Sequence, residues 1–189
     1  MQKSLINLTK ELQRLLSEWL PAMAADNWWN RYVLSSLSHM QRQQAEQRGH
    51  SKLSELDLAA LLRVLDQNWF ELSNHTNLPK EARNWLKETQ SIRNRWAHAP
   101  ADGWDDESTY RDLDTLERLQ QAIGVSLVVL DDLRQEKQRI LSKLAPNDVP
   151  VPQNTFTSQT AGIFALGTVI CLKAQPSVTG AIIAHLPGQ

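Results

Sequence analysis

The amino-acid sequence predicts an all-α fold: a bundle of about six helices over residues 1–144, a linker over 145–162 and a short, incomplete β segment over 163–189. Three observations predict it. Apolar residues recur at helical spacing as far as Leu144, a proline-containing polar stretch then breaks the pattern, and two nearly uncharged runs rich in β-branched residues follow. Of 189 residues, 41% are apolar and 22% charged, the balance of a globular chain that can bury one good core with a small appendage.

The elements follow in order. Leu5, Leu8, Leu12, Leu15, Leu16, Trp19 and Leu20 line one face of a first helix, which Pro21 ends or kinks. A second helix, "NWWNRYVLSSLSHMQRQQAEQ", is expected over 27–47 and stops near Gly49. Ser54, with Asp57 three residues on, caps a third, "ELDLAALLRVLDQNWFEL". Pro79 suits the first turn of a fourth, which reaches about His98. A fifth spans about 107–122 and stops before Gly124, and a sixth, "SLVVLDDLRQEKQRILSKL", spans about 126–144. "APNDVPVPQNTFTSQT" reads as a linker, and "IFALGTVICLKA" and "TGAIIAHL" read as two strands around a turn. Two strands alone cannot satisfy their edges, so the tail is expected to need a partner or to open a longer protein.

Composition excludes several classes. A net charge of −1 gives no global basic field for nucleic acid, so such a role must rest on a local patch. A single cysteine, Cys171, rules out an internal disulfide framework and a Cys-based zinc site, and suits a reducing cytoplasm. The first 20 residues carry charges through their apolar positions, unlike a signal peptide, and the longest apolar run, 161–172, is too short to span a bilayer. The scattered His39, His50, His75 and His185 have no metal-ligand spacing, so neither metal nor cofactor is expected.

The chemistry concentrates in "SIRNRWAHAP", 91–100. At 100° per residue, Ala82, Trp85, Thr89, Ile92 and Trp96 share a core arc, while Arg83, Lys87, Gln90, Asn94 and His98 share a polar, basic arc nearly opposite. Arg93 lies at the border. Two readings fit this arc. It is a solvated helix face whose terminal histidine complements the macrodipole, or it is a site. An arginine offers a planar fork of donors to a phosphate, a histidine titrates near neutrality and can move a ribose-hydroxyl or leaving-oxygen proton, and an asparagine one turn earlier can orient either. These are the parts for metal-independent RNA cleavage. Arg93 and His98 stand about 140° apart on a regular helix. Convergence therefore needs either a loosened end at Ala97–Ala99 or two copies that pool residues across a two-fold axis.

"RNRWAH" fits the R-x4–6-H motif of the HEPN superfamily (higher eukaryotes and prokaryotes nucleotide-binding), and its setting resembles the subgroup at the front of large bacterial Swi/Snf-type and other phage-defence helicases. The resemblance implies a HEPN-like helical bundle over 1–144 that forms a homodimeric metal-independent endoribonuclease. Arg93 and His98 would be its catalytic pair and Asn94 its orienting group, with RNA as partner. Arg83, Lys87 and Arg95 are the candidate RNA contacts; Arg95 lies beyond the stripe and either meets RNA or solvates the surface. "LGTVICLKAQPSVTGAIIAHLPGQ" resembles the opening strands of a small SH3-like barrel. No G-x-x-x-x-G-K-[ST] is present, so the helicase motor is expected to lie outside this chain. The alternative function is a non-catalytic dimerisation or nucleic-acid-docking module of such a helicase; a third reading is a structural domain with a coincidental motif.

Other residues weigh less. Glu88 suits a solvent ion pair better than a role as a further acid. Trp28 and Trp29 could stack bases but more often split between core and boundary, and Trp104, in the acidic loop, is the better placed for exposure, with core packing as its default. Seven acidic residues between Asp102 and Glu117 would repel an RNA backbone unless they fold away, neutralise Arg83 and Lys87, or pair with a second protomer.

Overall fold

A computed structural model describes residues 1–100 and 103–145. The described part is helical: α1 (Gln2–Ala24), α2 (His39–Gln47), α3 (Leu58–Gln67), α4 (Trp69–Thr76), α5 (Ala82–Ala97), α6 (Asp106–Ala122) and α7 (Leu127–Leu144). The expected β segment and nearly all of the expected linker lie outside the described residues.

The leucine ladder of α1 is the centre of the bundle. Leu8, Leu12, Leu16 and Leu20 are fully buried, and α1 packs on α3, α4, α6 and α7. Each such side chain contributes about 1.5–3 kcal/mol by leaving water. α1 runs through Pro21 to Ala24, because a proline near a helix end costs little of the remaining hydrogen-bond ladder.

Two expected helices are interrupted, and because only the third yields two α-helices the count of about six becomes seven among the described residues. The second dissolves at its front into a 3-10 turn (Ala25–Asn27) and a π-helical segment (Trp29–Leu34), and α2 starts only at His39. Ser38 accounts for the restart: its hydroxyl accepts from the Gln41 backbone N–H while Gln41 Oε1 accepts from the Ser38 N–H, a reciprocal capping box. The third breaks at Asn68, whose side-chain amide donates to the Tyr32 carbonyl, the Ser36 hydroxyl and the Val64 carbonyl. Its cap is Asp57 rather than Ser54. Asp57 Oδ1 accepts from the Ala60 N–H at 2.9 Å, and Ser54 sits in a preceding 3-10 turn.

The fourth expected helix begins at Ala82, just after Pro79, and ends at Ala97. The sixth is α7, entered from Ser126 after Gly124, whose φ of +75° is a conformation that favours glycine. α5, α6 and α7 form a layered edge, with α6 packed between its neighbours. No described helix is long and apolar enough to cross a membrane.

Candidate functional site

The arcs drawn on the motif helix hold in space except at Gln90, which is half-buried and donates to the Leu62 carbonyl at 3.3 Å. Ala82, Thr89 and Ile92 are buried with Leu86, Trp85 and Trp96 are half-buried, and Arg83, Lys87, Asn94 and His98 are exposed. The helix ends at Ala97. His98 is the C-cap, with φ −121° and ψ 29°, and its N–H reaches the Arg95 carbonyl in a tightened last turn. The imidazole therefore departs from the helical screw, on an exposed residue in front of Pro100.

Arg93 is half-buried and held. Its Nη2 donates to Asp57 Oδ2 at 3.0 Å, and Nη1 to Asn94 Oδ1 at 3.4 Å. Asp57 thus caps α3 with one oxygen and fixes the motif arginine with the other. The structure brings Arg93 and Asn94 together at the mouth of a groove between α3 and α5, and it does not place His98 among the residues lining that groove.

The three candidate RNA contacts separate. Lys87 Nζ donates to Asp66 Oδ2 and lines the groove with Arg93, while Arg83 Nε lies 3.7 Å from Asp66 Oδ1 without lining the groove. Arg95 points the other way. Its guanidinium pairs with Asp112 of α6 and lies over the Trp104 ring at 5.7 Å, while the Trp96 indole N–H donates to Asp112 Oδ2 at 2.7 Å. Arg95 is a tie between α5 and α6.

The acidic segment finds its cations close by. Asp105 caps α6 by accepting from the Ser108 N–H at 2.8 Å, a bond that holds its carboxyl below the usual aspartate range. Glu117 accepts from Arg134 and Lys137, and Asp114 from Arg118 and Lys137. Burial pushes the Glu117 and Asp114 carboxyls up, and these cations outweigh it, leaving both below their ordinary values. Asp112, Asp114 and Glu117 of the segment pair with Arg95 and with α7, while Arg83 and Lys87 share the single carboxylate of Asp66. Glu88 accepts from the Thr115 hydroxyl at 3.1 Å, and Trp28 and Trp29, both half-buried, pack edge to face.

Comparison with family models decides the relationship. The Swt1-like HEPN model matches residues 3–124, about two thirds of the chain. The chain belongs to the Swt1-like HEPN family. The matched span takes in α1 to α6 and the whole R-N-x-x-x-H motif of this HEPN domain. No curated protein and no solved structure matches the chain.

Sequence reasoning missed Asp57, Asp66, Asp112 and Arg63, another cation of the groove. Two of them left a signal. Asp66 follows Leu58 and Leu62 at intervals of four, and Asp112 precedes Leu116 by four, so both acids stand on apolar stripes. An acid there needs a buried cation partner.

Proposed function

We propose that this HEPN domain is a metal-independent endoribonuclease that works as a dimer, with Arg93 holding the scissile phosphate, His98 transferring a proton and Asn94 orienting. The observation that carries this reading is the state of the motif. Arg93 is fixed by Asp57 and Asn94 beside an open polar groove, while His98 stands exposed at a helix terminus where a second copy can meet it. In the reaction the ribose 2′-oxygen forms a bond to phosphorus and the bond from phosphorus to the 5′-oxygen breaks. One imidazole accepts the 2′-hydroxyl proton and the partner's imidazole gives a proton to the leaving oxygen. The arginine fork offsets charge on the phosphorane. The products are a 2′,3′-cyclic phosphate and a 5′-hydroxyl.

The domain is further read as an N-terminal module of a phage-defence or restriction-associated helicase, following the resemblance of residues 1–144 and of the 163–189 segment. A docking module is the second reading, and a specific observation favours it: Arg93 and Lys87 are each already engaged by a carboxylate. The two part in a concentration series of RNA cleavage in excess EDTA, read beside sedimentation. The nuclease reading expects cleavage that rises with the dimer fraction. Dimer without cleavage at any concentration favours docking.

A further inference from the structure

The groove between α3 and α5 holds, besides the Arg93 and Asn94 that the cleavage reading uses, a set of residues it leaves without a role. Its buried lining residues, Leu62 and Asp66, form the floor. Its exposed or half-buried rim carries the cations Arg63 and Arg93 and the side-chain amides of Gln67 and Gln90. Arg63 donates through Nε to the Ser36 carbonyl at 2.7 Å, and its terminal nitrogens have no hydrogen bond among the described residues. Asp66 is 4% exposed; Oδ2 takes Lys87, but among the described residues Oδ1 accepts no hydrogen bond and has only the Arg83 guanidinium at 3.7 Å beside it. A buried carboxylate oxygen with an unused acceptor position is a costly feature.

We infer that this groove is a nucleotide subsite for the RNA strand, with the phosphate on the Arg63–Arg93 rim and a guanine base on the Asp66 floor. The proposal rests on the RNA-processing reading and names a specificity for it. The charge layout sets the orientation. Once Lys87 and Arg83 turn away from it, the Asp66 carboxylate repels a phosphate, whereas the Arg63–Arg93 rim attracts one through planar forks of donors. An ionised carboxylate only accepts hydrogen bonds, so the base that suits it presents donors side by side. Guanine does so with N1–H and N2–H. Adenine and cytosine present one amino group flanked by an acceptor, and uracil one N–H between two carbonyls. Lys87 and Arg83 are both more than half exposed and can swing outward as the base enters. The rim amides of Gln67 and Gln90 supply donors and acceptors for the remaining base edge and the ribose.

The test is titration of the whole chain with the four ribonucleoside 5′-monophosphates, followed by calorimetry and by the side-chain amide NMR signals. These ligands contain no bond that the nuclease would cut, so binding is read independently of cleavage. Guanosine monophosphate is expected to bind at least about tenfold tighter than the other three, the factor that one charge-assisted hydrogen bond supplies. It is expected to move the Gln67 and Gln90 amide signals. Arg63→Ala should weaken all four alike, and Asp66→Asn should erase the guanine preference. Equal binding of all four, no binding at millimolar concentration, or an unchanged preference in a folded Asp66→Asn overturns the proposal. If Asp66→Asn does not fold, the NMR of the unsubstituted chain decides: guanosine monophosphate that leaves Gln67 and Gln90 unmoved refutes the site.

Discussion

Replacing Asp112 tests how the motif helix is held. This carboxylate is 5% exposed and serves two donors of α5, the Arg95 guanidinium and the Trp96 indole N–H. Asp112→Ala strands both. A lost charge-assisted hydrogen bond that leaves a buried partner costs about 1.5–3 kcal/mol, and breaking a buried ion pair about 3–5 kcal/mol. Arg95 keeps 38% of its side chain in water, so solvent recovers part of that cost. The net expectation is roughly 3 kcal/mol, or about 6–12 °C in Tm for a chain of this size. Asp112→Asn keeps an acceptor for Trp96 and loses only the charge, so about half of that loss is expected. Urea unfolding followed by far-ultraviolet circular dichroism measures both. A loss under about 1 kcal/mol for the alanine variant, or equal losses for both variants, would refute the reasoning. Since Arg95 and Trp96 directly precede the turn that carries His98, both variants are expected to reduce any cleavage as well.

Other predictions follow from the same contacts. Glu117 and Asp114 are held below their ordinary values, so their contribution to stability is complete above the unfolded-state values and is lost as pH falls through the lowered ones. Tm measured from neutral pH into the acid range should fall across that window, and Glu117→Gln should flatten the fall. Asp57→Asn should leave stability within about 0.5 kcal/mol, because asparagine caps as well as aspartate and the Asp57 side of the Arg93 pair is 61% exposed, whereas Asp57→Ala should cost about 1 kcal/mol in urea melts. Leu16→Ala should cost about 2–5 kcal/mol by opening a cavity under α1, while Phe70→Ala, at 77% exposure, should stay within about 0.5 kcal/mol.

What could be read in the sequence follows the range of the forces involved. The α5 arcs were legible because period and burial act along one helix. The breaks at Ser38 and Asn68 were less so, since each turns on a side chain that bonds backbone rather than on hydrophobic spacing. The sequence pointed to Ser54 as the cap with Asp57 as its partner, and the acceptor geometry at Ala60 makes Asp57 itself the cap. Pairings across the fold were the least visible. Arg95 looks like its neighbours on a wheel, yet Asp112 takes it to the α6 side while Asp66 and Asp57 gather Lys87 and Arg93 on the α3 side. The motif itself was legible as "RNRWAH", but the carboxylate that positions its arginine lies 36 residues away.

The most direct test of the central claim is RNA cleavage by the whole chain in excess EDTA, with product ends analysed, beside Arg93→Ala and His98→Ala. The account predicts 2′,3′-cyclic phosphate and 5′-hydroxyl ends from the unsubstituted chain, and losses of at least about a hundredfold in both variants. Cleavage that persists in His98→Ala, or that stops on chelation, would contradict it.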